Sequence, residues 1–156
     1  MKRGLVARAL CLGVLFSAAV PAWALPFSLG APATGKQVSL ISASLFDGGV
    51  TQLEAADFLL TFDSAVFAFS GAATGSATSG FFLVAGSPVS IGGSLVQVEF
   101  SLATGGSPVD GTSGSLLEID FLIKQKAPLG LSELVFASTP FSDYDIARTV
   151  GGVIVT

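Results

Sequence analysis

The sequence predicts an all-β protein: a β-sandwich with jelly-roll topology and about nine strands. Short apolar runs alternate with segments rich in Gly, Ser, Thr, Pro and Asp, a pattern typical of strands joined by turns. No segment repeats apolar residues at i, i+3, i+4 and i+7 over the length of a helix, so the pattern indicates no amphipathic helix. Regular short strands with glycine-rich turns favour two packed sheets.

The N-terminal segment has the features of a secretory signal peptide. Three basic residues precede an apolar run from Ala9 to Val20, and Ala22-Trp23-Ala24 then supplies small residues around a cleavage site. The run is about 12 residues long, whereas a membrane-spanning helix needs about 20. The sequence therefore predicts a signal peptide over residues 1–24 and a secreted domain over residues 25–156, located in a periplasm or outside the cell.

The composition of the secreted part excludes several functions. Four basic residues face all eleven acidic ones there, so its net charge is −7, which disfavours nucleic acid and anionic membranes as partners. It contains neither histidine nor cysteine, and so lacks the usual general base, thiolate nucleophile and zinc ligands. The C-terminal residues show no apolar stretch followed by basic residues, so we expect no membrane anchor. The sequence therefore predicts a single domain without catalytic residues.

Eight strands are expected, with further short pieces near Phe27 and Val89. They lie near residues 37–45, 56–62, 65–70, 81–85, 94–102, 115–124, 131–137 and 150–155.

The strand 56–62 shows the clearest alternation. Its even-numbered positions are all apolar, and its odd-numbered positions include Asp57 and Thr61. Because successive side chains leave opposite faces of a sheet, the face that carries Phe58 and Phe62 is predicted to be core. An Asp-Ser turn at positions 63 and 64 then separates this strand from the next.

The glycine- and serine-rich stretch 71–80 is predicted to be a loop between two strands, since Phe69 precedes it and Phe81 and Phe82 follow it. Phe81 and Phe82 are neighbours on one strand and must point to opposite faces. One of these two rings is therefore a candidate for an exposed aromatic surface, unless the second sheet or a loop covers it.

The strand 115–124 carries two carboxylates on one face. Glu118 and Asp120 lie roughly 6.5–7 Å apart by strand rise, a distance that also fits the paired acids of a glycoside hydrolase. They alternate with Ile119 and Phe121, however, as the wet face of an amphipathic strand does. An exposed carboxylate lacks the burial that raises the pKa of a catalytic acid. We interpret the pair as a solvated face and assign no catalytic residue.

Two further acids, Asp143 and Asp145, stand close together in a loop near the C terminus. Clustered carboxylates are suitable calcium ligands, but Ile146, Ala147 and Arg148 follow instead of the further ligands and glycine of a calcium loop. A solvated acidic loop is the better interpretation, and no metal site is assigned.

Five blocks in order resemble the cohesin module, the receptor half of the cohesin–dockerin pair. They are Gly35 to Leu40, Asp57 to Ser64, Val98 to Phe100, Gly114 to Lys124 with the turn Ala127 to Gly130, and Gly152 to Thr156.

The resemblance implies a non-catalytic module that binds a dockerin-type protein through a sheet face, in extracellular polysaccharide degradation or cell-surface assembly. The calcium would belong to the dockerin. Of the four positions that contact dockerin in the well-known type, Asp57 matches the aspartate and Gly105 the glycine. The asparagine position is Ala55, and the glutamate position falls near Leu102. The partner-binding residues implied by the resemblance are therefore Asp57, Leu102 and Gly105.

Two other functions remain open at this point. A carbohydrate-binding module would contact polysaccharide directly through exposed aromatic rings. Trp23 leaves with the signal peptide, so the candidates are Phe81, Phe82 and Tyr144. A self-associating surface or matrix protein is the third hypothesis, since no enzyme is attached to this single module.

Overall fold

The structure is a computed structural model, which describes residues 27–139 and 149–156. The predicted signal peptide lies outside these residues and stays a prediction. No helix within the described ranges has the length and apolar character needed to span a membrane. The strands are β1 Phe27–Gly30, β2 Thr34–Gly35, β3 Leu40–Asp47, β4 Ala55–Asp63, β5 Phe67–Thr74, β6 Phe82–Ala85, β7 Val89–Gly92, β8 Leu95–Ala103, β9 Ser115–Ile123, β10 Gly130–Ser138 and β11 Thr149–Val155, with one 3-10 turn at Gly111–Ser113.

The predicted β-sandwich is confirmed, but the number of strands is eleven in the described ranges and not about nine. The eight expected strands are present, and β1 and β7 form where short pieces were expected. β2 was missed, because two residues held by parallel pairing with β11 leave no periodicity in the sequence. β5 also runs on to Thr74, into the stretch predicted as a loop. Its backbone pairs with β9 past an irregularity between Phe69 and Gly71, and this pairing needs no large side chains.

Two sheets form the sandwich. One has four strands in the order β1-β3-β9-β5, and the other has the order β2-β11-β10-β4-β8-β6, with β7 also pairing with β8. Among the described strands all pairings are antiparallel except that of β2 with β11. β6 and β7 therefore lie one after the other along the same edge of β8.

The core lies between the inward faces of the two sheets, as the alternation predicts. Phe121 of β9 is at its centre, with ring centroids 5.2 Å from Phe62, 5.4 Å from Phe67 and 6.4 Å from Phe69. Phe62 belongs to the opposite sheet, so its edge-on contact with Phe121 joins the two layers.

Glu118 and Asp120 lie on the side of the four-stranded sheet that points away from the core, each beside a serine of β3. Ser44 Oγ donates to Glu118 Oε2 at 2.5 Å, and Ser42 Oγ donates to Asp120. These are directly opposite residues in the β3–β9 register. Both carboxylates therefore lie on the outward face of an amphipathic strand, which agrees with the interpretation from the sequence.

Candidate partner-binding face

The outward face of the seven-stranded sheet is formed by β10, β4, β8, β6 and β7, and we call it the outer face. Its residues stand in rows across the strands. Asp57 pairs with Ser101, which pairs in turn with Val84. The neighbouring rows are Ala55–Ala103–Phe82, Ala137–Leu59–Glu99 and Val135–Thr61–Gln97–Val89.

The outer face carries carboxylates, and the strands that form it contain no lysine or arginine. Asp57 is half-buried in the middle strand β4, and Glu99 on β8 and Glu133 on β10 are exposed. The lysines of the described ranges are at positions 36, 124 and 126, outside the strands that form the face. The outer face is therefore acidic, with apolar and small residues between the carboxylates.

An exposed aromatic ring stands at one end of the outer face. Phe82 is 71% exposed, whereas Phe81 is 8% exposed and belongs to the core. The two neighbours thus point to opposite sides, as the strand geometry requires, and of these two rings Phe82 is the one at the surface. Tyr144, the third aromatic candidate, lies outside the described residues.

Phe82, a candidate for sugar binding, also lies beside Gly105, which the cohesin resemblance implies as a partner-binding residue. A Cβ on Gly105 would stand 3.0 Å from Cε2 of Phe82, so the edge of this ring lies against Gly105. Thr104 donates its N–H to the carbonyl oxygen of Glu54 at 2.8 Å, and this bond holds the segment after β8 against the start of β4. Gly105, Phe82 and the row that contains Asp57 therefore occupy the same end of the face.

No protein-family model matches this sequence, and no curated protein sequence matches it. Solved structures do resemble it. A cohesin module from a Clostridium perfringens family 33 glycoside hydrolase matches with a TM-score of 0.64 at 13% identity, over 85% of this chain and 97% of that one. The sixth cohesin of Acetivibrio cellulolyticus scaffoldin B, solved with a Cel5 dockerin, matches with a TM-score of 0.57 at 16% identity, over 85% and 99%. A type II cohesin domain from the cellulosome of Acetivibrio cellulolyticus matches with a TM-score of 0.57 at 14% identity, over 85% and 92%.

This chain has the cohesin fold. Both type I and type II modules match it, and the match covers nearly the whole length of each solved module. The resemblance that the five sequence blocks indicated is thus confirmed at the level of the fold.

One of the three partner-binding candidates has the wrong orientation for that role. Leu102 is 2% exposed and pairs with the inward-facing Leu83, so its side chain packs in the core of the cohesin fold. Because side chains alternate along a strand, a shift of one residue moves a position to the other face. The outward neighbours are Ser101 and Ala103, and Leu102 is removed from the set.

The other two candidates are accessible. Asp57 lies on the outer face, and Gly105 is exposed just beyond it. The structure brings them to one end of the same face without placing them in one row. This arrangement can present a carboxylate, a bare backbone segment and an aromatic ring to one partner.

Sequence reasoning missed the opposite end of the outer face. A groove there lies between β4 and β10, and Leu131, which lines it, is 69% exposed. Val150 and Ile154 of β11 are also partly exposed. The sequence does contain a sign of this apolar surface: in β10 and β11, apolar residues stand at both odd-numbered and even-numbered positions, so some of them must face outward. The groove is lined by Thr61, Phe62, Asp63, Leu95, Leu131, Ser132, Glu133 and Val135.

Metal binding was considered for the acidic loop at Asp143 and Asp145, which lies outside the described residues. Within residues 27–139 and 149–156, no group of three or more His, Cys, Asp or Glu side chains is arranged to hold a metal ion.

Proposed function

We propose that this chain is a secreted, non-catalytic protein-binding module that captures a dockerin-type partner through its outer face. The observation that carries the proposal is the likeness in fold over nearly the whole module to cohesins, several of which were solved in complex with dockerins. In this proposal the partner brings its own calcium. The module would serve extracellular polysaccharide degradation or assembly at a cell surface.

The chemistry of the outer face supports a protein partner. It combines exposed apolar side chains with isolated carboxylates, and protein interfaces contain groups of both kinds. Asp57 is the residue on which we centre the contact, because it is half-buried on the middle strand β4 and a partner that covers it would remove it from water. A partner that donates hydrogen bonds to this carboxylate would gain both affinity and orientation.

Binding to a panel of dockerin modules, with calcium and with a chelator, tests the proposal. The protein is recovered after export by a host that expresses the full sequence, residues 1–156. We expect calcium-dependent binding that Asp57→Ala weakens at least about tenfold, the equivalent of 1.4 kcal/mol. Asp120→Ala is the matched control, since Asp120 is an exposed carboxylate on the other sheet, and it should bind as the unaltered chain does. Failure of the unaltered chain to bind any calcium-loaded dockerin would contradict the proposal.

Export itself is part of the proposal and has a direct measurement. The mass of the protein recovered from the periplasm or the medium should correspond to residues 25–156, because cleavage is expected after Ala24. Recovery in the cytoplasm with residues 1–24 intact would contradict it.

A second function, direct binding of polysaccharide, is favoured by one observation: Phe82 is exposed at the end of a sheet face. An exposed ring can stack on the apolar face of a sugar. Retention on insoluble polysaccharide that is independent of calcium and lost in Phe82→Ala would support this function. Equal retention of the variant and the unaltered chain would exclude Phe82 as the sugar-binding ring.

A further inference from the structure

The edge strands on one lateral side of the sandwich contain no charged residue. The 35 consecutive residues from Ser64 to Val98 include no Asp, Glu, Lys or Arg. They contain β5, β6 and β7, which are edge strands, and the first part of β8. β5 lies beside β6, so the open edges of both sheets meet on this side. The secreted part of the chain has a net charge of −7, and this neutral side is therefore exceptional for the molecule.

The same side presents unpaired backbone groups. Within the described ranges β6 and β7 pair with β8 alone, and β5 pairs with β9 alone. Gly86 donates its N–H to the carbonyl oxygen of Glu99 at 2.8 Å. Because N–H groups alternate in direction along a strand, those of Leu83 and Ala85 point away from β8. An open edge of this kind is a template for another strand.

The usual protections of such an edge are incomplete here. Natural sheets protect open edges with charged side chains, proline, bulges or short strands. This edge has no charge, and its apolar side chains Phe82, Val84, Val89 and Ile91 are each at least half exposed. It does have Pro88, within a three-residue break between two strands of four residues each, and β7 has an irregularity between Ser90 and Gly92. The edge is therefore open only over two short pieces, of which β6 is the regular one.

We infer that the β6–β7 edge is a self-association surface, on which two copies of this chain pair edge to edge about a twofold axis. Two copies with a charge of −7 each repel one another, and the uncharged side is where that repulsion is least. An axis at the break 86–88 places β6 of one copy opposite β7 of the other, so that the two breaks coincide. Such an isologous contact uses the same surface twice and closes at a dimer.

Sedimentation equilibrium of the exported protein over a concentration series tests the inference. We expect a monomer–dimer equilibrium that becomes tighter as salt is raised, because salt screens the repulsion between the acidic copies. Ala85→Pro removes an N–H that points away from β8 and should abolish the dimer. Ala85→Glu keeps that N–H but adds a negative charge to each copy, and should weaken the dimer about tenfold or more. A monomer at every concentration and salt would overturn the inference.

Two controls make the result specific to this edge. Leu40→Glu adds the same charge at a 70% exposed position on β3, an interior strand of the other sheet, and should weaken the dimer far less than Ala85→Glu does. Ser87→Cys, in a Cys11→Ser background, places the only thiol of the chain at the proposed axis and should form a disulfide-linked dimer on oxidation. Association that both Ala85 variants leave intact, or growth beyond the dimer, would overturn the inference.

Discussion

The ring of Phe82 lies against Gly105, with Cε2 3.0 Å from the place that a Cβ on that residue would occupy. Phe82 belongs to β6 and Gly105 to the segment after β8. From the sequence, Phe82 was a candidate for sugar binding and Gly105 a candidate for dockerin binding. Their contact brings the two candidates to one place on the surface. A partner that covers Gly105 must also meet the aromatic ring, so a change at either residue should be felt by any ligand bound at this end of the outer face.

Gly105→Ala should move the Phe82 ring without harming the fold. The added methyl group is too close to Cε2, and the ring can turn into solvent because it is exposed. We expect the free energy of unfolding in urea to change by less than about 1 kcal/mol, within the range of surface substitutions. Contacts of the Phe82 ring in NMR spectra should change markedly. Gly106→Ala is the control, since the nearest atom to its Cβ is Thr104 Oγ1 at 3.8 Å; an equal spectral change there would contradict the contact.

Phe121→Ala should be among the most destabilising single changes in the core. Its ring is fully buried and contacts rings from both sheets, so truncation leaves a cavity at the join between the layers. We expect a loss of about 3–5 kcal/mol in the free energy of unfolding, measured by urea denaturation. Leu122→Ala, next to it but 38% exposed, should cost much less. Similar losses for both variants would contradict the assignment of the two faces.

The positions of the strands could be predicted from the sequence because alternation is a local property. Phe58 and Phe62 of β4 are buried as the pattern requires, and the same holds for Ile119 and Phe121 of β9. The two-residue strand β2 could not be predicted in this way, since its pairing depends on β11, more than a hundred positions later. Pairing between distant segments leaves no periodicity at either end.

The candidate site was less predictable than the fold for the same reason. Leu102 was aligned with a polar contact of cohesins, but one step along a strand reverses the direction of a side chain, and Leu102 packs in the core. The contact between Phe82 and Gly105 depends on how the segment after β8 approaches β6. That approach is a tertiary property, so only the structure could bring these two residues together.

Alanine at Gly75 and alanine at Gly71 should have different effects on the free energy of unfolding. A Cβ on Gly75 would overlap the carbonyl group of Ser115, which is backbone and cannot turn aside, whereas a Cβ on Gly71 would have no atom within 4 Å. We expect Gly75→Ala to lower the free energy of unfolding by about 1–3 kcal/mol. Gly71→Ala should leave it unchanged or raise it by up to about 1 kcal/mol, because alanine restricts the unfolded chain. Thermal unfolding of the two variants checks the difference, and equal effects would contradict the close approach of Gly75 to Ser115 of β9.

Asp110 precedes the 3-10 turn, and its carboxylate accepts two hydrogen bonds from one residue. Thr112 donates its N–H to Asp110 Oδ1 at 3.0 Å and its hydroxyl to the same oxygen at 2.6 Å. These bonds favour the charged form and hold the pKa of Asp110 below its usual value, the hydroxyl having the larger effect. The stabilisation of the turn is therefore fully present above the usual pKa of an aspartate and is lost as the pH falls through the lowered pKa.

Thr112→Val should raise the pKa of Asp110 part of the way back to its usual value, because the variant loses the hydroxyl donor but keeps the N–H. An NMR titration of the Asp110 carboxyl group measures the change. Ser113→Ala is the matched control, since the Ser113 hydroxyl donates to the backbone carbonyl oxygen of Asp110 at 2.7 Å and not to its carboxylate. If the two variants shift the pKa of Asp110 equally, the hydroxyl of Thr112 is not the cause, and the turn itself must be holding the carboxylate.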